Sequence, residues 1–220
     1  MNNSELKKII NKTISGNKHF GFIHFKNLII REPIKEILQG FCFEKSPHDK
    51  NGFYLWVFVQ PIFIENDNIV LTFGKRIKNK NGNEWWSINK ENENYIIQNL
   101  NTVFENEGFN YLNQTGSLNK FFNYFRDCQT NLRIMEAVSF TSFIIGNKDC
   151  YKENDTLINE IEENHDLGIK WKRDILDKLY LIKNINDDSK LKQIFLGWSY
   201  YTVKQLGLSN FIDMKSLVFS

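Results

Sequence analysis

The sequence predicts an α+β protein with an N-terminal helix, an antiparallel sheet of four to five strands, and then a set of about six helices. Apolar residues follow a strand pattern between about residue 19 and residue 88, and a helical period after Asn89. The connections between the predicted strands are short, which indicates antiparallel neighbours. We therefore expect residues 1–88 to form a helix and sheet region and residues 89–220 a helical region, packed together as one globular unit.

The first predicted element is a short amphipathic helix over residues 4–14. Ser4 is a suitable N-cap and Gly16 a suitable end. Strand character then appears in residues 20–25, 28–30, 41–44, 52–60, 69–74 and 84–88. The Asn81-Gly82 step predicts a hairpin that leads into the last of these segments.

The clearest strand, residues 53–59, is apolar at every position. A sheet with one solvated face should alternate apolar and polar residues instead. We therefore expect both faces of this central strand to be shielded, by helices of this chain or by another chain. The period of two assigns Tyr54, Trp56 and Phe58 to one face and Phe53, Leu55, Val57 and Val59 to the other.

Helical stripes of apolar residues occupy the second part of the chain. They cover residues 95–104, 118–125, 132–144, 157–161, 171–182 and 191–206. Glycines that suit helix ends follow several of them, including Gly146 and Gly207. No repeat or low-complexity linker interrupts this series.

Length and composition set the broad class. The chain has 220 residues with a net charge of +2, a size that can bury a core without disulfides. Its three cysteines show no metal-binding spacing, so we expect reduced thiols. Residues 1–12 lack the apolar core of a signal peptide, and no stretch approaches the ~18 apolar residues of a membrane helix. The expectation is a cytoplasmic protein that does not bind a membrane, and the bias towards Asn, Lys and Ile suggests a bacterial AT-rich genome.

Two hydrolytic motifs are incomplete. A phosphodiesterase signature begins at His24 with Lys26, but Arg31 occupies the position that requires aspartate. A histidine at a sheet edge explains His24 without any chemistry. The restriction-type nuclease pattern needs an acid and then Glu-x-Lys to hold a metal. Asp67 and Glu84 fit its acids, but Trp86 stands where the lysine is needed.

Metal, phosphate and nucleophile sites are not indicated either. Glu162, His165 and Asp166 share one helical face, but a histidine near a helix end is also favoured by the helix dipole. Cys42, Cys128 and Cys150 have no neighbouring histidine that would activate them. No glycine-rich phosphate loop occurs. We therefore expect no catalytic residues, no bound metal and no cofactor.

Charge and aromatic residues do suggest a binding surface. Residues 1–88 contain 13 Lys and Arg against 8 Asp and Glu, and basic residues cluster around the 77–84 hairpin. Trp85 and Trp86 follow, and adjacent strand residues face opposite sides, so one should enter the core and the other should be exposed. An exposed tryptophan beside basic residues is typical of an interaction hot spot. The predicted partner-binding residues are Lys75, Arg76, Lys78, Trp85 and Trp86, with Lys80 nearby.

These observations favour a non-catalytic protein-binding module. Such a module could be an immunity protein or an accessory subunit of a bacterial defence system, including antiphage defence, in a hetero-complex or a homo-oligomer. The alternative is a nucleic-acid-binding or metal-dependent nuclease-like protein that uses the basic 75–84 hairpin. A third possibility is a small-ligand pocket between the sheet and the helices.

Overall fold

A computed structural model describes residues 3–17, 21–47, 49–89, 91–128, 130–164, 168–217 and 219 of the chain. It confirms the α+β class with an antiparallel sheet. Two compact units are present, one formed by residues 1–60 and 70–116 and the other by residues 61–69 and 117–220. The predicted division at residue 89 follows the change from strands to helices and not these units. The packing of the two predicted regions into one globular unit stays a prediction.

The first unit contains one helix ahead of a six-stranded sheet. Helix α1 spans Asn3–Gly16, close to the predicted 4–14. The strands are β1 (Phe22–Phe25), β2 (Leu28–Arg31), β3 (Ile37–Lys45), β4 (Gly52–Pro61), β5 (Gly74–Ile77) and β6 (Trp85–Ser87). They run in the order β1-β2-β3-β4-β5, and β6 also pairs with β4.

The predicted hairpin between the last two strands is wrong. Both β5 and β6 pair with β4, with Leu55 opposite Ile77 and Tyr54 opposite Trp85. They therefore follow one another along the same edge of β4, and residues 78–84 form a loop that leaves the sheet and returns to it. The side chain of Asn79 organises this loop, since its Oδ1 accepts hydrogen bonds from the backbone N–H groups of residues 81 and 83.

The predicted strand over residues 69–74 is also displaced. Leu71–Phe73 forms a single 3-10 turn, and the strand begins only at Gly74. The Gln60 side chain accepts a hydrogen bond of 2.8 Å from the Val70 backbone N–H. That amide is therefore paired outside any sheet ladder, although the local sequence is rich in strand-forming residues.

Helices α1, α2 (Glu93–Val103) and α3 (Phe109–Thr115) belong to the same unit as the sheet, and a π-helical turn over Phe104–Gly108 joins α2 to α3. We call the sheet face that they cover the inner face. Phe41 of β3 stacks on Phe104, with ring centroids 3.7 Å apart. A Cβ on Gly108 would lie 2.4 Å from the Phe41 ring, so only glycine permits this close approach.

The opposite face of the sheet, here called the outer face, is only partly dry. Phe58 is fully buried, but Tyr54 and Trp56 are half-buried. The expectation that both faces of β4 are shielded is therefore correct for the inner face and wrong for this part of the outer face. The physical reason is the neighbouring side chain of Arg76 on β5, which covers the two rings with a charged group.

The second unit is helical, as predicted for this part of the chain. Its helices are α4 (Leu118–Phe125), α5 (Leu132–Ile144), α6 (Cys150–Asn164), α7 (Lys170–Lys183) and α8 (Asp188–Leu206). Aromatic packing forms its core, with Phe195 of α8 placed 6.1 Å from Phe63 and 6.0 Å from Phe140. Gly207 ends α8 with φ of 76°, a left-handed conformation that glycine adopts without strain. None of the described helices is long and apolar enough to cross a membrane.

Candidate partner-binding surface

Trp85 and Trp86 point to opposite faces of β6, as their adjacency in a strand predicts. Trp86 is completely buried on the inner face, stacks on Phe53 at 6.0 Å, and donates a hydrogen bond of 3.1 Å to the Ile77 carbonyl. Trp85 is 43% exposed. Trp85 is therefore the member of the pair that a partner can contact, and Trp86 supports the core.

The indole of Trp85 lies over a glycine. Gly52 of β4 has no side chain, and a Cβ at this position would lie 2.2 Å from Trp85 Nε1. Trp85 is also paired with Tyr54 across the two strands, so these two aromatic side chains share the outer face. Glycine at position 52 thus determines how closely the indole approaches the sheet.

Arg76 is the centre of the same surface. Its guanidinium carbon lies 4.2 Å from the ring centroid of Tyr54 and 4.9 Å from that of Trp56. Its Nη1 lies 3.3 Å from a Glu84 oxygen and its Nη2 lies 3.8 Å from a Glu44 oxygen. The two carboxylates thus occupy part of the donor edge of Arg76, and the stacking on aromatic rings holds the guanidinium in one orientation, so it loses little conformational freedom when it binds.

Glu44 connects β3 to this surface. Its Oε2 accepts a hydrogen bond of 2.8 Å from Trp56 Nε1. The rotamers of Trp56 and Arg76 are therefore both constrained by a carboxylate. We call the set of Tyr54, Trp56, Arg76 and Trp85 with its carboxylates Glu44 and Glu84 the aromatic–arginine face.

The backbone edge beside this face is blocked by side chains. Asn79 Nδ2 donates to the Trp85 carbonyl at 3.0 Å, and Asn92 Nδ2 donates to the Ser87 carbonyl at 3.1 Å. The outward carbonyls of β6 are therefore occupied, and addition of a partner strand at this point would break both bonds. Recognition at this place has to use the face of the sheet and its side chains.

The predicted basic residues do not form one patch. Lys75 pairs with Val57 in the β4–β5 register and lies on the side of the inner face, with its Nζ 5.6 Å from the ring centroid of Tyr111. Arg76 points to the outer face. Lys78 and Lys80 are exposed in the loop between β5 and β6. The structure thus groups Arg76 with Trp85 and separates Lys75 from both.

The histidine and cysteine candidates have structural roles. His24 Nδ1 lies 3.0 Å from Asn11 Oδ1, and its Nε2 lies 2.7 Å from the Lys26 carbonyl oxygen, so both ring nitrogens are engaged. Burial raises the pKa of the Cys42 thiol to about 12, and the Glu44 charge adds to the rise. Burial also raises the pKa of Cys150. A thiol that stays protonated is a poor nucleophile.

The nuclease acids have other partners as well. Asp67 accepts a hydrogen bond from the Tyr201 hydroxyl at 2.6 Å, and Glu84 lies beside Arg76. Within the described ranges, no group of three His, Cys, Asp or Glu side chains could hold a metal ion. His165 and Asp166, which sequence reasoning placed on one helical face with Glu162, lie outside the described residues.

A buried carboxylate in the second unit was not identified from the sequence. Glu136 of α5 is fully buried, and its Oε2 accepts a hydrogen bond of 3.0 Å from Arg133 Nη1. Its Oε1 has no partner among the described side chains and backbone groups. Burial raises the pKa of Glu136, against the opposing effects of Arg133 and Lys178. The i, i+3 spacing of Arg133 and Glu136 was the signal that could have indicated the pair.

Comparison with known proteins adds no relative: no family model, no curated protein and no solved structure matches this chain.

Proposed function

We propose that this protein is a non-catalytic binding module that recognises another protein through the aromatic–arginine face. The observation that carries the proposal is the exposed Trp85 beside Arg76, whose guanidinium stacks on Tyr54 and Trp56. Tryptophan, tyrosine and arginine are the residue types that contribute most to protein–protein affinity. The contacts to Gly52 and Glu44 already order these side chains, so little further entropy is lost on binding.

The charge pattern favours a protein over a nucleic acid. Glu44 and Glu84 lie within 3.8 Å and 3.3 Å of the Arg76 guanidinium and would repel phosphates at the centre of the surface. A protein partner can instead provide an apolar side chain against Trp85 and neutral acceptors, such as backbone carbonyls, for the remaining N–H groups of Arg76. The charged groups then act mainly on specificity and association rate.

Nucleic-acid binding is the second candidate, and the exposed Lys78 and Lys80 beside Trp85 favour it. Four phosphate contacts on duplex DNA would give a slope of about −3.6 in log K against log salt, and the two loop lysines alone about −1.8. We expect no measurable binding at physiological salt. A salt-sensitive gel shift that Lys78→Glu with Lys75→Glu abolishes would establish the second candidate instead.

The wider role that we propose is an immunity protein or an accessory subunit of a bacterial, cytoplasmic defence system. Binding surfaces without catalytic side chains suit proteins that block or assemble other proteins. Co-expression with a candidate toxin should protect the host cell, and Trp85→Ala should remove this protection while the protein stays folded. Protection that is unchanged in Trp85→Ala contradicts a role for this surface.

The direct experiment is capture by the immobilised protein, followed by affinity measurement with the purified partner. Trp85→Ala should weaken binding by about 2 kcal/mol, or roughly thirtyfold. Trp171→Ala is the matched control, because Trp171 is 40% exposed, similar to Trp85, and lies on α7 in the other unit. Light scattering of the protein alone separates self-association from a hetero-complex. Equal losses in the two variants contradict the proposal.

A further inference from the structure

The aromatic–arginine face alone is too small for a stable protein complex. Each partner of a standard interface buries roughly 800 Å². Trp85 is 43% exposed, and the side chains of Arg76 and Glu84 are 36% and 44% exposed. Since an aromatic side chain presents at most roughly 250 Å², six side chains that are each less than half exposed offer less than about 700 Å². A partner that binds this face therefore has to cover adjoining surface as well.

Glu44 lies where this surface continues. Its carboxylate belongs to the aromatic–arginine face, where it bonds to Trp56 and lies 3.8 Å from Arg76. The same residue lines a pocket of about 860 Å³ beside α1 and the β1–β2 turn, within the first compact unit. Pockets of roughly 300–1,000 Å³ hold drug-sized ligands, so this one has room for a large side chain and the backbone around it. The face and the pocket are therefore adjacent parts of one surface.

The pocket has an apolar floor and a charged rim. Buried and half-buried residues form the floor: Leu6, Phe25, Cys42, Phe43 and Leu71. The charged residues among the described lining are all exposed: Lys7, Lys26, Glu44 and Lys45. Burial raises the pKa of the Cys42 thiol to about 12, so this thiol stays uncharged. An apolar centre inside a polar rim is the arrangement found in protein–protein interfaces.

Internal hydrogen bonds fix the walls of this pocket. Asn27 Nδ2 donates to the Phe43 carbonyl at 3.0 Å and to the Cys42 sulfur at 3.5 Å. The Asn27 carbonyl accepts from the Phe43 N–H at 2.9 Å. On the other side of the turn, His24 Nε2 lies 2.7 Å from the Lys26 carbonyl oxygen. The pocket is therefore preformed, and an occupant does not have to order its walls.

We propose that the protein partner inserts an apolar side chain, aromatic or long aliphatic, into this pocket while its neighbouring segment lies on the aromatic–arginine face. The inference rests on the proposed function and specifies the partner, whose contact segment has to carry a bulky apolar side chain next to its contact with Glu44. An uncharged group suits the floor, because Leu6, Phe43 and the Cys42 thiol offer no charge that could pair with an ion. A side chain enclosed in this way is typical of the anchors that dominate protein interfaces.

An uncharged dye tests the pocket without the partner. N-phenylnaphthylamine, whose fluorescence rises in apolar surroundings, is titrated into the full chain. We expect saturable binding at one site. Leu71→Trp, which fills the pocket, should abolish dye binding. Leu181→Trp is the matched control, because Leu181 is 45% exposed and lies on α7 in the other unit, and it should bind the dye as the wild type does.

Competition with the purified partner identifies the occupant. The partner should displace the dye from the wild-type protein, because its side chain takes the same space, and this measurement depends on no variant. Leu71→Trp should also weaken the affinity for the partner about tenfold, since the anchor side chain loses its site. Leu181→Trp should leave that affinity unchanged.

The same measurements separate failure of this inference from failure of the proposed function, which Trp85→Ala tests. If Trp85→Ala weakens partner binding but the partner leaves the dye bound, the pocket holds a small ligand instead, and the inference is wrong while the proposed function stands. Absence of dye binding, or equal partner affinity in Leu71→Trp and wild type, also overturns the inference. If Trp85→Ala binds the partner as the wild type does, the proposed function fails and the inference fails with it.

Discussion

The adjacent tryptophans of β6 allow the structure to be tested with two substitutions of the same type. Trp86→Ala removes a wholly buried indole that stacks on Phe53 and bonds the Ile77 carbonyl. Trp85→Ala removes an indole that is 43% exposed and lies over Gly52. The two variants should therefore differ in stability, although they differ by only one position in the sequence.

The magnitude follows from burial. A buried indole removes roughly 200 Å² from water, which at ~25 cal/mol per Å² corresponds to about 5 kcal/mol. The methyl group that alanine retains reduces this loss, and the cavity and the unpaired Ile77 carbonyl add to it, so Trp86→Ala should cost about 3–5 kcal/mol. Trp85→Ala should cost about 1–2 kcal/mol, because water already reaches much of its ring and no closed cavity forms.

Urea denaturation followed by far-ultraviolet circular dichroism measures both values without relying on the fluorescence of the replaced residues. The denaturant slope should stay the same in both variants, so that a shift in midpoint reports stability. Equal destabilisation in the two variants, or a loss below about 1 kcal/mol in Trp86→Ala, would refute the assigned orientations of the two side chains.

Three further outcomes are expected. Gly52→Ala should displace the indole of Trp85 and lower partner affinity more than it lowers the free energy of unfolding. Affinity and urea denaturation measured on one sample of the variant compare the two losses. Unchanged affinity would contradict the placement of the ring over Gly52. Because the folded-state pKa of Glu136 is raised, its contribution to stability is full below the unfolded-state pKa, close to 4.5, and declines as pH rises through the folded-state pKa. Over this pH range the free energy of unfolding should fall less steeply in Glu136→Gln than in the wild type. Equal slopes of the free energy of unfolding against pH would contradict the raised pKa. Purified protein should not hydrolyse DNA, RNA or phosphodiesters with divalent metals, and activity lost in both Asp67→Ala and Glu84→Ala would contradict the binding proposal.

Local periodicity predicted the elements and part of the surface. The opposite orientations of Trp85 and Trp86 follow from the period of two in a strand, and the helix that ends at Gly207 follows from its apolar stripe and its glycine. The same period separates Lys75 from Arg76, although the two are neighbours in the predicted basic cluster. This part of the site could have been predicted from the sequence.

Non-local pairing explains what the sequence did not predict. The Asn81-Gly82 step favours a hairpin, but β6 pairs with β4, whose residues lie some thirty positions earlier, and the Asn79 side chain closes the loop instead. Likewise, Tyr54 and Trp56 of the apolar strand β4 are only half-buried, because the side chain that stacks on them across the β4–β5 register is the charged Arg76 and not an apolar element. Pairing partners of this kind depend on tertiary structure and not on local propensity.

The most direct test of the aromatic–arginine face is hydroxyl-radical footprinting of the free protein and of its complex with the captured partner. Oxidation of Trp85 should fall strongly in the complex, and oxidation of Tyr54 and Trp56 should fall with it, since the proposed interface covers all three rings. Trp171, with similar exposure in the free protein, should be oxidised equally in both samples. Protection of Trp171 with Trp85 still fully reactive would contradict the proposal that this face of the sheet binds the partner.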